Sequence, residues 1–147
     1  MRLTQFSNYA LRTLMFANLN EGRLCQCQEV ADAFGISKAH LIKCVHQLGQ
    51  WGFLDCRRGR NGGFQLARPA EQISVGEVIR KTEDTLDLVE CFNSETNSCP
   101  LISKCRLNQA LRRALNAFME ELNCLTIQDI TENKTELNDL LMNMTEK

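Results

Sequence analysis

The chain has 147 residues, 44% of them hydrophobic, a net charge of −1 and eight cysteines, which suits one compact domain or a small domain with an appended oligomerisation element. Arg2, Gln5, Asn8 and Arg12 interrupt the apolar positions of the opening stretch, so neither a signal peptide nor a membrane span is expected; a cytoplasmic place follows, with cysteines serving as metal ligands or buried thiols rather than disulfides. Residues 1–70 hold nine Lys/Arg against four Asp/Glu and residues 71–147 hold eight against fourteen, balances of +5 and −6, so a polyanionic partner is expected to meet the first half.

Phe6, Ala10, Leu14 and Ala17 recur at helical spacing, predicting a helix from about Thr4 to Leu19 with Thr4 or Ser7 at its start. A second helix near residues 28–34 turns Val30, Ala31 and Phe34 inward and stops at Gly35, whose backbone freedom suits a tight turn. Ser37 is placed to cap a third helix reaching about Trp51, with Leu41, Val45 and Leu48 on its inner face. Helix, glycine-containing turn and helix make a helix-turn-helix. Ser37, Lys38, His40, Lys43 and Gln47 are then the candidate contacts to the phosphates and base edges of double-stranded operator DNA.

After Phe53, the run LDCRRGRNGGFQLA predicts two short strands joined through residues 59–63, with Asn61-Gly62 as a hairpin turn signal. Arg57, Arg58, Arg60 and Asn61 gather there as the wing of a winged helix, suited to the phosphate backbone and the minor groove. Pro69 ends the hairpin, and Ser74 caps a further helix over 75–82.

Helical periodicity fades from Glu83 to Lys104, where Cys91, Cys99 and Cys105 appear in CFNSETNSCPLISKC. Soft thiolates select iron, iron–sulfur clusters or zinc over magnesium and calcium. Zinc held by three thiolates and a carboxylate, or oxidation of the thiols to a disulfide, fits the same residues. Beyond the loop, Leu107, Leu111, Leu115, Phe118, Leu122 and Leu125 form an apolar seam. This predicts a homodimerisation helix, since a paired reader matches a palindromic operator. Ile127, Ile130, Leu137, Leu140 and Leu141 are expected to close the core, with the last residues fraying.

The expected fold is therefore mainly α with a small β-hairpin wing: a winged helix-turn-helix over 1–83, a cluster-binding loop over 84–105, and a dimerisation helix with a C-terminal segment over 106–147. Cys44, Cys56 and Cys124 read as buried small hydrophobes. Cys25 and Cys27 form a Cys-x-Cys pair, but no His or further Cys lies close in sequence to complete a second metal site, and His40 and His46 both fall on the recognition helix. No phosphate-cradling glycine loop and no Gly-x-Ser-x-Gly occurs, so a regulator without a small-molecule substrate is expected rather than an enzyme.

The segments MRLTQFSNYALR, FGISKAHLIK, RRGRNGGFQL and ISVGEVI, then the three-cysteine loop followed by LNQALRRALNAF, resemble the Rrf-type winged-helix iron–sulfur transcriptional regulators, in order and over nearly the whole chain. That family includes the iron-responsive RirA, the nitric-oxide sensor NsrR and the cluster-biogenesis regulator IscR. The cysteine intervals, Phe92 to Ser98 and Pro100 to Lys104, are most similar to those of the RirA subgroup. The resemblance implies that Cys91, Cys99 and Cys105 hold a 4Fe–4S cluster that degrades to 2Fe–2S, and that a cluster-bearing repressor senses iron and releases DNA on cluster loss. Nitric-oxide or redox sensing is the alternative within the family. Three thiolates leave one ligand to be supplied. Asn108 stands where IscR types have a His and Asn8 where certain NsrR proteins have an Asp; Asp87, Glu90, Glu95, water or a small thiol are the other candidates.

Overall fold

Thr4 opens the fold as expected: its hydroxyl accepts from the Ser7 N–H at 3.2 Å and starts α1 (Gln5–Leu19). The computed structural model describes residues 2–145, with side chains as far as Met142; the fraying expected at the very end of the chain lies outside them. Ala10, Leu14, Phe16 and Ala17 of α1 are buried in the main core. Helix α2 (Cys27–Phe34) carries a capping box, in which the Glu29 carboxylate accepts from the Gln26 N–H at 2.7 Å. It stops at Gly35, whose φ of +62° is the left-handed conformation that ends a helix without a Cβ penalty. Helix α3 (Lys38–Gln50) follows, burying Leu41, Cys44, Val45 and Leu48. Ser37 does stand at its N-cap, but its side chain makes no capping bond, so its hydroxyl stays exposed.

Strands β1 (Leu54–Arg57) and β2 (Gly63–Leu66) pair antiparallel, Leu54 opposite Leu66 and Arg57 opposite Gly63. The turn between them differs from the expected one. A two-residue type I′ turn needs positive φ at both central residues, yet among the described residues no non-glycine has positive φ, Asn61 included. Gly59 takes that role at φ +106° and its carbonyl accepts from the Gly62 N–H at 3.0 Å, closing a longer loop. Gly62 is needed for a different reason: a Cβ there would run into the Arg57 carbonyl. Cys25 adds a bridge to the hairpin, exchanging backbone bonds of 2.8 and 2.9 Å with Phe64.

Ser74 caps α4 (Val75–Thr82), accepting from the Glu77 N–H at 3.0 Å. Along α4 runs α5 (Arg106–Cys124), and Val75, Ile79 and Met119 make a second small core. Gly76 permits this closeness, since a Cβ would overlap the Asn123 side chain. The seam expected on α5 is therefore only partly a core: Leu115, Phe118 and Leu122 are half-buried, Leu107 is 67% exposed, and Met119 lies deepest because α4 covers that side. Helix α6 (Lys134–Thr145) turns back onto α2. Ile127 is buried and Ile130 and Leu141 pack on the main core, but Leu140, expected inside, is 63% exposed because Leu137 and Leu141, four apart, take the inward face. Among the described residues no helix is long and apolar enough to cross a membrane.

Candidate functional site: a nucleic-acid interface and a thiol loop

Helix α3 buries its apolar side and leaves Ser37, Lys38, His40 and Lys43 exposed, with Gln47 half-buried at the edge of the same face. Arg57, Arg58, Arg60 and Asn61 of the wing are exposed as well. Between the start of α2, α3 and the hairpin lies a cleft of about 360 Å³ whose walls include Lys38, Ile42, His46 and Arg57. Helix α3 and the hairpin thus flank one basic surface. Arg57 is partly engaged, 3.6 Å from the Asp55 carboxylate. Tyr9 of α1 stacks on His40, ring centroids 6.3 Å apart and planes 22° from parallel, so α1 braces the recognition helix. Sequence reasoning missed Ile42, which is 50% exposed on the polar face; an apolar residue there suits contact with a thymine methyl. The available signal was an isoleucine out of phase with Leu41, Val45 and Leu48.

Two of the reader's thiols are packed away. Cys25 and Cys44 are fully buried, and burial pushes them up to about 11 and about 12 respectively. Such thiols stay protonated at neutral pH and are poor ligands. Burial also raises Cys27, which is half-buried at the first turn of α2. Cys56 and Cys124, expected to be buried, are exposed. The outer strand of a two-stranded hairpin has little to cover it, and at the end of α5 it is the neighbours Asn123 and Leu125 that contact α4, leaving Cys124 uncovered.

The thiol loop has no core. No residue between Glu83 and Leu107 is buried. Short side-chain-to-backbone bonds shape it: the Asp87 N–H donates to Thr85 Oγ1 at 3.0 Å, the Glu95 N–H to Asn93 Oδ1 at 2.9 Å and the Cys99 N–H to Asn97 Oδ1 at 3.0 Å. The Ser98 N–H and hydroxyl both donate to Glu90 Oε1, at 2.9 and 2.8 Å, and hold that carboxyl below its usual range. Cys105 is the N-cap of α5, its sulfur accepting from the Asn108 N–H at 3.4 Å. The Asn108 side-chain amide donates to Cys91 Sγ at 3.0 Å. Cys91 and Cys105 therefore meet at one buried residue, at a helix start whose partial positive charge favours anionic groups.

Cys99 stands apart: among the described residues its sulfur shares no hydrogen-bond partner with the other two, and no three Cys, His, Asp or Glu side chains converge closely enough to hold a metal ion. The donor set still fits a soft metal centre, being three half-buried thiols free of disulfides on a segment without a core of its own. Of the oxygen donors, Asn8, Asp87, Glu90 and Glu95 are exposed and Glu90 is committed to Ser98, while Asn108 is buried between Cys91 and Arg112.

A polar clamp stands where the reader runs into the loop, beside the apolar packing of Leu86 in one cluster with Leu3 and Leu11. The Glu83 carboxylate accepts from the Thr4 N–H at 2.8 Å, from Thr4 Oγ1 at 3.0 Å and from the Ser7 hydroxyl, which lies 2.7 Å from Thr82 Oγ1. Burial pushes the Glu83 carboxyl up, but the bonds from Ser7 and Thr4 outweigh it and leave the group below its usual range. Glu83, the C-cap of α4 and the residue just ahead of the loop, is thus clamped to the start of α1. Nothing in the sequence flags a pairing across 79 positions.

Comparison with known proteins agrees with this architecture. The profile of a family described as Rrf2, iron-dependent transcriptional regulator, matches residues 3–133. The HTH-type transcriptional regulator NsrR of Bacillus licheniformis is 44% identical over 142 residues, covering 96% of this chain and 99% of that protein. Protein aau3 of Rhizobium meliloti is 43% identical over 141 residues, covering 96% of this chain and 92% of that one. Among solved structures, CymR, the global cysteine regulator of B. subtilis, is similar in fold, with a TM-score of 0.75 at 20% identity over 90% of this chain and 98% of that one.

Proposed function

Since this chain belongs to the Rrf2 family of transcriptional regulators, we propose that it is an iron–sulfur-dependent repressor that binds operator DNA as a homodimer, with Cys91, Cys99 and Cys105 as cluster ligands. The observation that carries the reading is the meeting of Cys91 and Cys105 at the start of α5, on a loop whose preceding residue, Glu83, is clamped to the start of α1. Cys91, Cys99 and Cys105 would hold a 4Fe–4S cluster, which would supply a labile, iron-dependent cross-link among three thiolates and would pass to 2Fe–2S on iron loss.

The chain's own residues do the rest. Drawing Cys99 in beside Cys91 and Cys105 orders a segment that has no core of its own, an entropy cost that only ligation offsets. Glu83 carries the order to Thr4 and Ser7, and Tyr9 carries it to His40 on the recognition helix. Leu111, Leu115, Phe118 and Leu122 of α5 pair with a second copy, setting the spacing of two recognition helices against a two-fold operator. Lys38, His40, Lys43, Gln47 and Ser37 meet the major groove, and Arg57, Arg58, Arg60 and Asn61 meet the backbone and minor groove. Iron scarcity loosens the loop and DNA is released.

The test uses duplexes selected from a random pool with protein reconstituted without air. Thiolate-to-iron visible absorption and duplex binding should fall together as a chelator is added. Equal affinity with and without the cluster overturns the switch. A second reading, favoured by the identity to proteins named NsrR, makes nitric oxide the signal. It predicts that nitric oxide releases DNA at doses where chelator does not.

A further inference from the structure

The environment of Asn108 assigns it a role that its position in the sequence does not suggest. It is 7% exposed, on the first turn of α5, and every polar atom of its side chain is engaged. The guanidinium of Arg112 donates from Nε to Asn108 Oδ1 at 3.1 Å. Because a guanidinium only donates, the amide oxygen must face Arg112. The amide NH₂ is thereby turned to Cys91, reaching Sγ at 3.0 Å and the carbonyl at 3.4 Å. Arg112 is itself held, stacked over the Phe92 ring at 4.5 Å and donating from Nη2 to the carbonyls of Cys91 and Phe92, both at 3.4 Å.

From this arrangement we propose that Asn108 is a positioning residue that donates an N–H···S hydrogen bond to Cys91, and that Arg112 sets the orientation of its amide. Asn108 is not the missing cluster ligand, because the one atom that could ligate iron is the atom Arg112 holds. The pair closes a clasp on the Cys91–Phe92 backbone and leaves the sulfurs of Cys91 and Cys105 on one residue before any metal arrives, Cys91 at the side-chain amide of Asn108 and Cys105 at its backbone N–H. Only Cys99 then has to move in. Once the cluster is bound, the same N–H draws charge from a ligating sulfur, which favours the reduced state; hydrogen bonds to sulfur are among the determinants of cluster potential.

The inference rests on the cluster reading for its second half only, and the experiment separates the two. Three full-length variants are compared with the unmodified chain. N108D keeps the size and the contact with Arg112 but replaces the donor with an acceptor, N108A removes both, and R112M keeps the aliphatic stem and removes the guanidinium. In metal-free protein, backbone hydrogen exchange over residues 91–105 should quicken by about tenfold in N108A and R112M, the loss of about one net hydrogen bond. In reconstituted protein, the midpoint potential of N108D should move to more negative values. Exchange at the unmodified rate in N108A and R112M overturns the clasp. Faster exchange with no change of potential in N108D overturns the donor role and leaves a structural strut. A chain that takes up no iron overturns the cluster reading instead, and the exchange comparison alone then decides the clasp.

Discussion

Two populations of cysteine divide this molecule. In the reader, Cys25 and Cys44 are sealed at 0% exposure among Phe53, Phe64, Leu41 and Leu48, their thiols pushed up to about 11 and about 12. In the loop, Cys91, Cys99 and Cys105 are half-buried on a segment in which nothing is buried from Asp84 to Arg106. The same side chain is a small hydrophobe in one place and a candidate ligand in the other. Its surroundings make the difference: the reader is ordered by its own apolar contacts, whereas the loop, apart from Leu86 on the second core and Phe92 beneath Arg112, is held by short polar bonds and borrows further order from whatever it binds.

The sharpest way to test that contrast is to exchange one thiol from each population. Cys99→Ala should abolish iron uptake on anaerobic reconstitution, measured as iron per chain, while shifting the stability of the metal-free fold by no more than about 0.5 kcal/mol, since it touches no core. Cys44→Ser should do the reverse, costing about 1–3 kcal/mol in denaturant unfolding by placing a more polar hydroxyl in a fully buried site where Thr13 is its one side-chain partner, with iron content unchanged. Loss of iron in Cys44→Ser, or full iron uptake in Cys99→Ala, would dissolve the distinction.

The two regions also differed in how far they could be read from the sequence. Elements of the reader obey local rules: the period of Ala10, Leu14 and Ala17, the cap at Ser74 and the left-handed stop at Gly35 all stand where the pattern puts them. The hairpin turn did not, because Gly59 supplied the positive φ that Asn61-Gly62 was expected to share. Burial on α5 depended on where α4 lies, so Met119 was overlooked and Leu107 overrated. Cys56 and Cys124 fell short of burial for the same reason: sequence does not say what covers an edge. In the loop, the three thiols were visible as a motif, but the approach of Asn108 to Cys91 and of Glu83 to Thr4 joins residues distant in sequence and leaves no periodic trace. A family resemblance carried the reading where pattern stopped, and the Rrf2 match agrees with it.

Between the regions, the wing offers a smaller, purely electrostatic measure. Arg58→Ala and Arg60→Ala should each flatten the slope of log affinity against log salt by about 0.9, one phosphate contact, with little change in fold stability. Arg57→Ala should flatten it less, because Asp55 already shares its charge at 3.6 Å. Equal effects from all three would mean that DNA displaces Asp55.

The smallest expected effect lies at the joint itself. Glu83 accepts its bonds as a carboxylate, and its carboxyl is held below the usual range, so its contribution is complete well above the unfolded value of about 4 and is lost as pH falls through the folded one. Glu83→Gln should therefore cost about 1 kcal/mol at pH 7, and the gap to the unmodified chain should close as pH falls through and below the usual carboxylate range. Glu90 and Asp129 are likewise held low, but both proteins carry them, so their titration cancels in the comparison. A gap that stays constant with pH would mean that Glu83 acts through packing and not through its charge. If the gap closes as expected while cluster-dependent DNA binding is unaltered in Glu83→Gln, the clamp is a weld between two regions and the signal travels through α5 instead.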